Sequence, residues 1–213
     1  MGDGVESGVE IPRHRRYVPP MTYKTAQKPA ACLLATVLFL SAMPVGSLPA
    51  LAQQSAARPS QSETRRIGSF QAWDAYEHTD KGTKLCYLHA KPKKNEPGNV
   101  RRGEIYILVT HKPKDKIRNE VSIYFGYPLK DAVAAQAVIG GSTIEMFTHE
   151  EAAWAADAAT DQKLVEQLRK GRTLVVKGVS TRGTNTTDTY DLSGFSAALQ
   201  AIDKACNMAG GTS

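Results

Sequence analysis

The chain has 213 residues, with 27 Lys and Arg against 21 Asp and Glu, and 41% of its residues are hydrophobic. That suits one ordinary domain with a real core plus an additional segment. Beyond residue 52 there remain 22 Lys and Arg against 18 Asp and Glu, a formal +4, which favours anionic surfaces weakly and is too little for a nucleic-acid binder.

The additional segment is N-terminal. Arg13, Arg15, Arg16, Lys24 and Lys28 form a basic lead-in to the uncharged run "AACLLATVLFLSAM", Ala30 to Met43, and Ala50-Leu51-Ala52 precedes Gln53. A basic region, a short apolar region and a small-residue site are the parts of a secretory signal peptide, predicted over 1–52 with cleavage after Ala52. The alternative is a retained N-terminal anchor, although the run is shorter than the roughly 20 apolar residues of a membrane span. Met21 opens a signal peptide of more usual length and is the expected start. Cys32 lies at the start of the apolar run, so no lipid attachment site is indicated.

Residues 53–66, "QQSAARPSQSETRR", are polar and aperiodic and predict a flexible leader. The domain is expected over 67–207, with a disordered tail at 208–213. "SFQAWDAYE" alternates as one strand, with Phe70, Ala72 and Asp74 on one face and Gln71, Trp73 and Ala75 on the other. "KLCYLHA" sets Cys86, Leu88 and Ala90 on one face. "GEIYILVTH" and "NEVSIYFGY" are rich in β-branched and aromatic residues, as strands are. "KDAVAAQAVIGG" and "STIEMFTH" read as two more strands around Gly140-Gly141, although the first, rich in alanine, could also be helical.

"TDQKLVEQLRKG" predicts a helix near 161–170, capped by Thr160 or Asp161, with Leu164, Val165 and Leu168 on one stripe and Gly171 as its stop. "RTLVVKGVS" is a strand. "SGFSAALQAIDKAC" predicts a helix near 194–206, with Ser193 as cap and Phe195, Ala198, Leu199, Ile202 and Cys206 on one stripe. Short strands with two small helices predict a mainly β fold, α+β at the margin: an antiparallel, β-sandwich-like domain.

Beyond the signal segment only Cys86 and Cys206 remain, both on core-facing stripes. In an exported chain they most simply form one disulfide; the alternative is two buried thiols. His78, His89, His111 and His149 have no metal-ligand spacing and no CxxC occurs, so no metal or cofactor is expected. No nucleophile elbow occurs either, and Asp188 and Asp191 point to opposite faces of a strand, so the protein is not expected to be an enzyme. "KPKKNEPGNVRR" offers Lys91, Lys93, Lys94, Arg101 and Arg102 as a candidate anionic-surface site, or as solvated cations that discourage edge pairing. "HKPKDKIRN" is a second basic connection, expected at the opposite end of the strand between them.

In "STRGTNTTDTYDLSGF", Gly183, Thr184 and Asn185 suit a turn. Asp188 shares a face with Tyr190 and Leu192, so it should be partly buried and need a partner. Arg182 is the expected partner, in a structural clamp holding the hairpin. A polyanion- or sugar-binding loop of the threonine hydroxyls is the alternative.

Gly171, Gly178-Val179-Ser180, Arg182-Gly183-Thr184, Asp188-Thr189-Tyr190, Leu192, Gly194-Phe195 and Cys206, with Trp73, Cys86, Arg102-Gly103 and "GYPL" at Gly126 to Leu129 upstream, resemble the signature of the invasion-associated locus B (IalB) family of exported proteins. The resemblance covers about 67–206. It implies a periplasmic, outer-membrane-associated or secreted β-rich domain without established catalytic activity, contributing to host-cell interaction, invasion or envelope integrity. The alternative is an accessory subunit of an envelope complex. Its partner would be an envelope or host-surface component, with no transmembrane segment beyond the signal peptide. Some relatives carry a cysteine soon after the early tryptophan; here Ala75, Tyr76 and Glu77 stand there, which strengthens the pairing of Cys86 with Cys206.

Overall fold

A computed structural model describes residues 62–208. The expected signal peptide, the Met21 start, the leader up to residue 61 and the tail from 209 lie outside the described residues. Chain order gives β1 (Glu63–Phe70), β2 (Trp73–Asp80), β3 (Thr83–Ala90), β4 (Lys94–Glu96), β5 (Tyr106–Lys112), β6 (Ile117–Tyr124), β7 (Ala135–Ile139), β8 (Ser142–His149), β9 (Ala152–Trp154), α1 (Ala158–Lys170), β10 (Thr173–Val179), β11 (Asn185–Asp191) and α2 (Phe195–Ala205). The fold is mainly antiparallel β with two helices, as expected.

The strands run in the order β1-β2-β3-β5-β6-β9-β8-β7-β10-β11-β4. β8 turns the corner: Phe147–His149 pair with β9, while Ser142–Met146 pair with β7. The sheet therefore folds back over one core, and its last hairpin meets its first. Trp73 Nε1 donates to Asp191 O at 3.0 Å, and the Ala72 amide donates to Ser193 O at 3.3 Å. Trp73, Leu88, Ile107, Val109, Ile123, Phe125, Met146, Leu174 and Tyr190 line the core, because alternation sends every second side chain to the inner face.

Both helices bury the predicted stripes. α1 lies on β6 through Leu164, Val165 and Leu168. Its cap is Asp157, whose side chain accepts from the Thr160 amide at 2.7 Å, so neither Thr160 nor Asp161 fills that role. Asp161 instead accepts the Val121 amide at 2.9 Å, beyond the stretch of β6 that β9 covers, and so satisfies an edge donor. α2 packs across β1, β2 and β3, with Phe195 edge-on to Trp73 at 4.9 Å. Gly194, at φ +87°, caps α2 without a side-chain bond. A Cβ there would stand 2.0 Å from Phe70 O; close approach to the β1–β2 turn displaces Ser193 from the capping role.

Three other expectations change. "SFQAWDAYE" is not one strand: Gln71 and Ala72 form the turn between β1 and β2. Glu63 to Arg66, expected in the leader, belong to β1: "ETRR" pairs with β2 as an outer strand whose side chains face solvent. The basic connection after β3 contains β4, hydrogen-bonded to β11. The alanine-rich segment is strand β7, fixed by pairing with β8 and β10 on its two edges.

Candidate functional site

Alternation along β11 points Thr186, Asp188 and Tyr190 inward. Asp188 is 0% exposed, and the Arg102 side chain facing it is 2% exposed. The guanidinium donates twice to the carboxylate, Nη1 to Oδ1 and Nη2 to Oδ2, each at 2.7 Å. Arg102 Nε donates to Phe125 O at 3.0 Å, and the fork lies 5.0 Å from the centroid of Tyr127. Tyr127 and Thr186 share a hydroxyl hydrogen bond of 2.5 Å. A buried carboxylate is tolerated only with a cation and satisfied lone pairs, and a forked pair supplies both.

The expected Arg182–Asp188 clamp is therefore corrected: the partner is Arg102. Asp188 sits opposite Val176, three rungs below the Val179–Asn185 pair that closes the hairpin. Arg182 lies in the turn beyond that pair, exposed to solvent. Three rungs are about 10 Å of strand, and among the described residues Arg102, in the segment before β5, reaches the carboxylate from within the core. That segment is set by Gly103, whose amide donates to Gly126 O at 2.8 Å. Gly126 is at φ +69°, and a Cβ on it would stand 2.7 Å from the Gly103 carbonyl. Tyr190 Oη is buried without a partner among the described residues. Burial, reinforced by the Asp188 charge, pushes its phenol far above the ordinary range.

At the other end of β5, Cys86 and Cys206 are bonded, with Cα atoms 6.0 Å apart and a sequence separation of 120. The predicted disulfide is present, buried with both helical and strand stripes as expected. His111 is the cross-strand neighbour of Cys86. Its Nδ1 accepts the Asn119 amide at 3.1 Å, so Nε2 carries the proton and donates to Asp203 at 3.1 Å. Arg118 donates to the same carboxylate oxygen at 2.9 Å. Burial alone would raise the Asp203 carboxyl, but the hydrogen bonds from His111 and Arg118 outweigh it and hold it below the ordinary carboxylate range. This His–Asp couple resembles half of a catalytic relay, yet both imidazole nitrogens are engaged, leaving no lone pair to act as a base. Among the described residues no group of three or more His, Cys, Asp or Glu is placed to hold a metal ion.

The candidate anionic-surface residues do not form one cationic patch. Lys91 pairs with Glu104 at 2.7 Å, Lys94 with Glu96 at 2.9 Å, and Lys93 approaches Asp191 at 3.9 Å. Arg101 is exposed, whereas Arg102 is turned into the core. These exposed pairs contribute little stability, but each sets a carboxylate beside a lysine. The expectation that the segment after β5 lies at the opposite end of that strand agrees with the structure.

The residues that drew attention in sequence fall in two clusters along β11. Trp73 meets Asp191 O and the Phe195 ring, with Gly194 against Phe70 O, where the last hairpin closes on the first. Further along, Arg102 meets Asp188 and, through Nε, Phe125 O, and Gly103 beside it meets Gly126. Gly178 belongs with the second cluster, since a Cβ there would run into the Phe125 ring at 2.4 Å. The Arg102 role was hidden because nothing local separates it from Arg101; only the tertiary closure does.

Comparison with known proteins returns the family described as invasion associated locus B (IalB) protein, matched over residues 73–203. The match holds the whole Arg102–Asp188 centre and ends three residues before Cys206. Three chains of solved structures match. One is the crystal structure of invasion associated protein B from Bartonella henselae, at 15% identity, covering 70% of this chain and 99% of that one with a TM-score of 0.48. No curated protein matches. With its matched region spanning more than half its length, the chain belongs to the invasion associated locus B family.

Proposed function

We propose that this protein is an exported, non-enzymatic envelope protein, periplasmic or surface-associated, that acts by binding in host-cell interaction or envelope integrity. The observation that carries the reading is the buried Cys86–Cys206 bond. Such a bond persists in oxidising compartments and is rare where thiols are kept reduced. The N-terminal basic and apolar regions point the same way. A non-enzymatic role is supported by the engagement of His111 on both nitrogens and by the burial of Asp188 beneath Arg102. Host-cell interaction is supported by the family's description as invasion associated.

A second reading, an accessory subunit of an envelope complex, is favoured by β1, which ends the sheet with an outer edge on which no strand pairs among the described residues. Cell fractionation followed by antibody labelling of unbroken cells tests the proposal. Envelope location supports it, with labelling marking a surface protein and protection a periplasmic one; recovery with the cytoplasm overturns it. A stoichiometric crosslink through β1 in intact cells would favour the subunit reading.

A further inference from the structure

The end of the domain beside the disulfide gathers three segments distant in sequence: the β2–β3 turn, the β5–β6 turn and the end of α2. Lys84 Nζ donates to Ala205 O, and Lys114 Nζ to Thr83 Oγ1, each at 3.4 Å. Arg118 reaches Asp203 of α2 at 2.9 Å. The exposed cations of these segments, Lys81, Lys84, Lys114, Lys116 and Lys204, consequently share one end of the molecule.

Some carboxylates at this end are already held. Glu77 is shared by Lys84 and Arg65, Glu120 is taken by Lys112, and Asp203 by Arg118 and His111. Glu63, Asp80 and Asp115 remain at this end, beside Lys81, Lys114, Lys116 and Lys204, so lysines exceed free carboxylates by one. The balance is positive here, whereas Lys91, Lys93 and Lys94 each face an acid.

We propose that this lysine-bearing end docks the protein on a membrane surface of anionic phospholipid. The inference rests on the reading of the protein as an envelope binder and names the surface it would bind. Charge complementarity with phosphate headgroups is the first argument. The second is the residue type: the five exposed cations are all lysine, a hydrated point charge on a flexible stem, suited to mobile headgroups rather than to one fixed bidentate ligand. The third is what the tips lack. The large hydrophobic side chains exposed among the described residues are Val100 and Phe147, neither in these segments. Docking is therefore peripheral, without insertion, and fully reversed by salt.

The test is co-sedimentation of the disulfide-intact protein with phosphatidylcholine vesicles, with and without phosphatidylglycerol. Binding to the phosphatidylglycerol vesicles alone, released by high salt, is expected. The combined variant Lys81→Gln, Lys114→Gln, Lys116→Gln, Lys204→Gln should bind at least about tenfold more weakly. Its thermal unfolding should be unchanged, since these side chains are exposed. The control Lys91→Gln, Lys93→Gln, Lys94→Gln should keep its binding. Equal sedimentation with both vesicles, or loss in the control matching that in the combined variant, overturns the inference. So does retention on dextran sulfate without sedimentation, which would make the occupant a soluble polyanion. Envelope location without vesicle binding removes this inference alone; vesicle binding by a cytoplasmic protein removes only the functional proposal.

Discussion

Arg102 and Asp188 stand 86 residues apart in the chain and meet as a forked pair with two 2.7 Å hydrogen bonds in the core. The pair joins the segment before β5 to the middle of β11, and so ties the two halves of the folded sheet together. Removing one member strands a buried charge. Asp188→Asn and Arg102→Ala should each lose about 3–5 kcal/mol in urea denaturation. Arg102→Met with Asp188→Leu together should cost less than either single change, and Arg182→Ala should stay within about 0.5 kcal/mol. A large cost at Arg182 with a small one at Arg102 would reverse the assignment.

The Cys86–Cys206 bond closes a loop with 120 residues of sequence separation. In the chain-entropy model a loop of that size contributes about 5 kcal/mol, less if the reduced chain keeps structure. Cys86→Ala with Cys206→Ala should therefore shift the denaturation midpoint strongly downward. The shift should match that produced by reducing the native protein. An unchanged midpoint would mean that packing of α2 on β1, β2 and β3 suffices without the bond.

Acid should loosen the same end of the molecule. The folded Asp203 carboxyl lies below its unfolded value, because the hydrogen bonds from His111 and Arg118 outweigh burial. The unfolded chain thus binds more protons in acid. The contribution is fully present above the unfolded value, about 3.9, and is lost as pH falls through the folded one. Asp203→Asn should lower stability at neutral pH and flatten the acid limb of a melting-temperature profile. Parallel acid limbs in the two proteins would contradict this.

Two glycines separate backbone freedom from close approach. Gly183 lies at φ +81° with nothing near its missing Cβ, whereas Gly126 lies at φ +69° against the Gly103 carbonyl. Gly183→Ala should cost about 1 kcal/mol, the strain of a left-handed alanine. Gly126→Ala should cost clearly more, because it also pushes Arg102 away from Asp188. Calorimetry of both variants gives the comparison.

What could be read from the sequence was what is locally periodic. β3, β6, β8 and β10 alternate clearly, and the stripes of α1 and α2 follow helical spacing. The need of Asp188 for a partner was legible because it shares a face with Tyr190 and Leu192. The identity of that partner was not, since it depends on which loop the closed sheet brings over β11. The first half of β1 is not legible because the outer strand of a sheet can be polar on both faces, and "ETRR" has no apolar alternation. Asp157 is not legible as a cap because the apolar stripe of α1 begins only at Leu164, two turns later. The basic segment after β3 was visible as charge, but not as a strand that pairs its lysines with carboxylates.

The most direct measurement is peptide mapping, without reduction and with free thiols blocked at lysis, of the protein recovered from fractionated cells. An exported envelope protein should be found in the envelope or periplasmic fraction with the Cys86 and Cys206 peptides linked. Recovery from the cytoplasm with both cysteines blocked as free thiols would contradict the account.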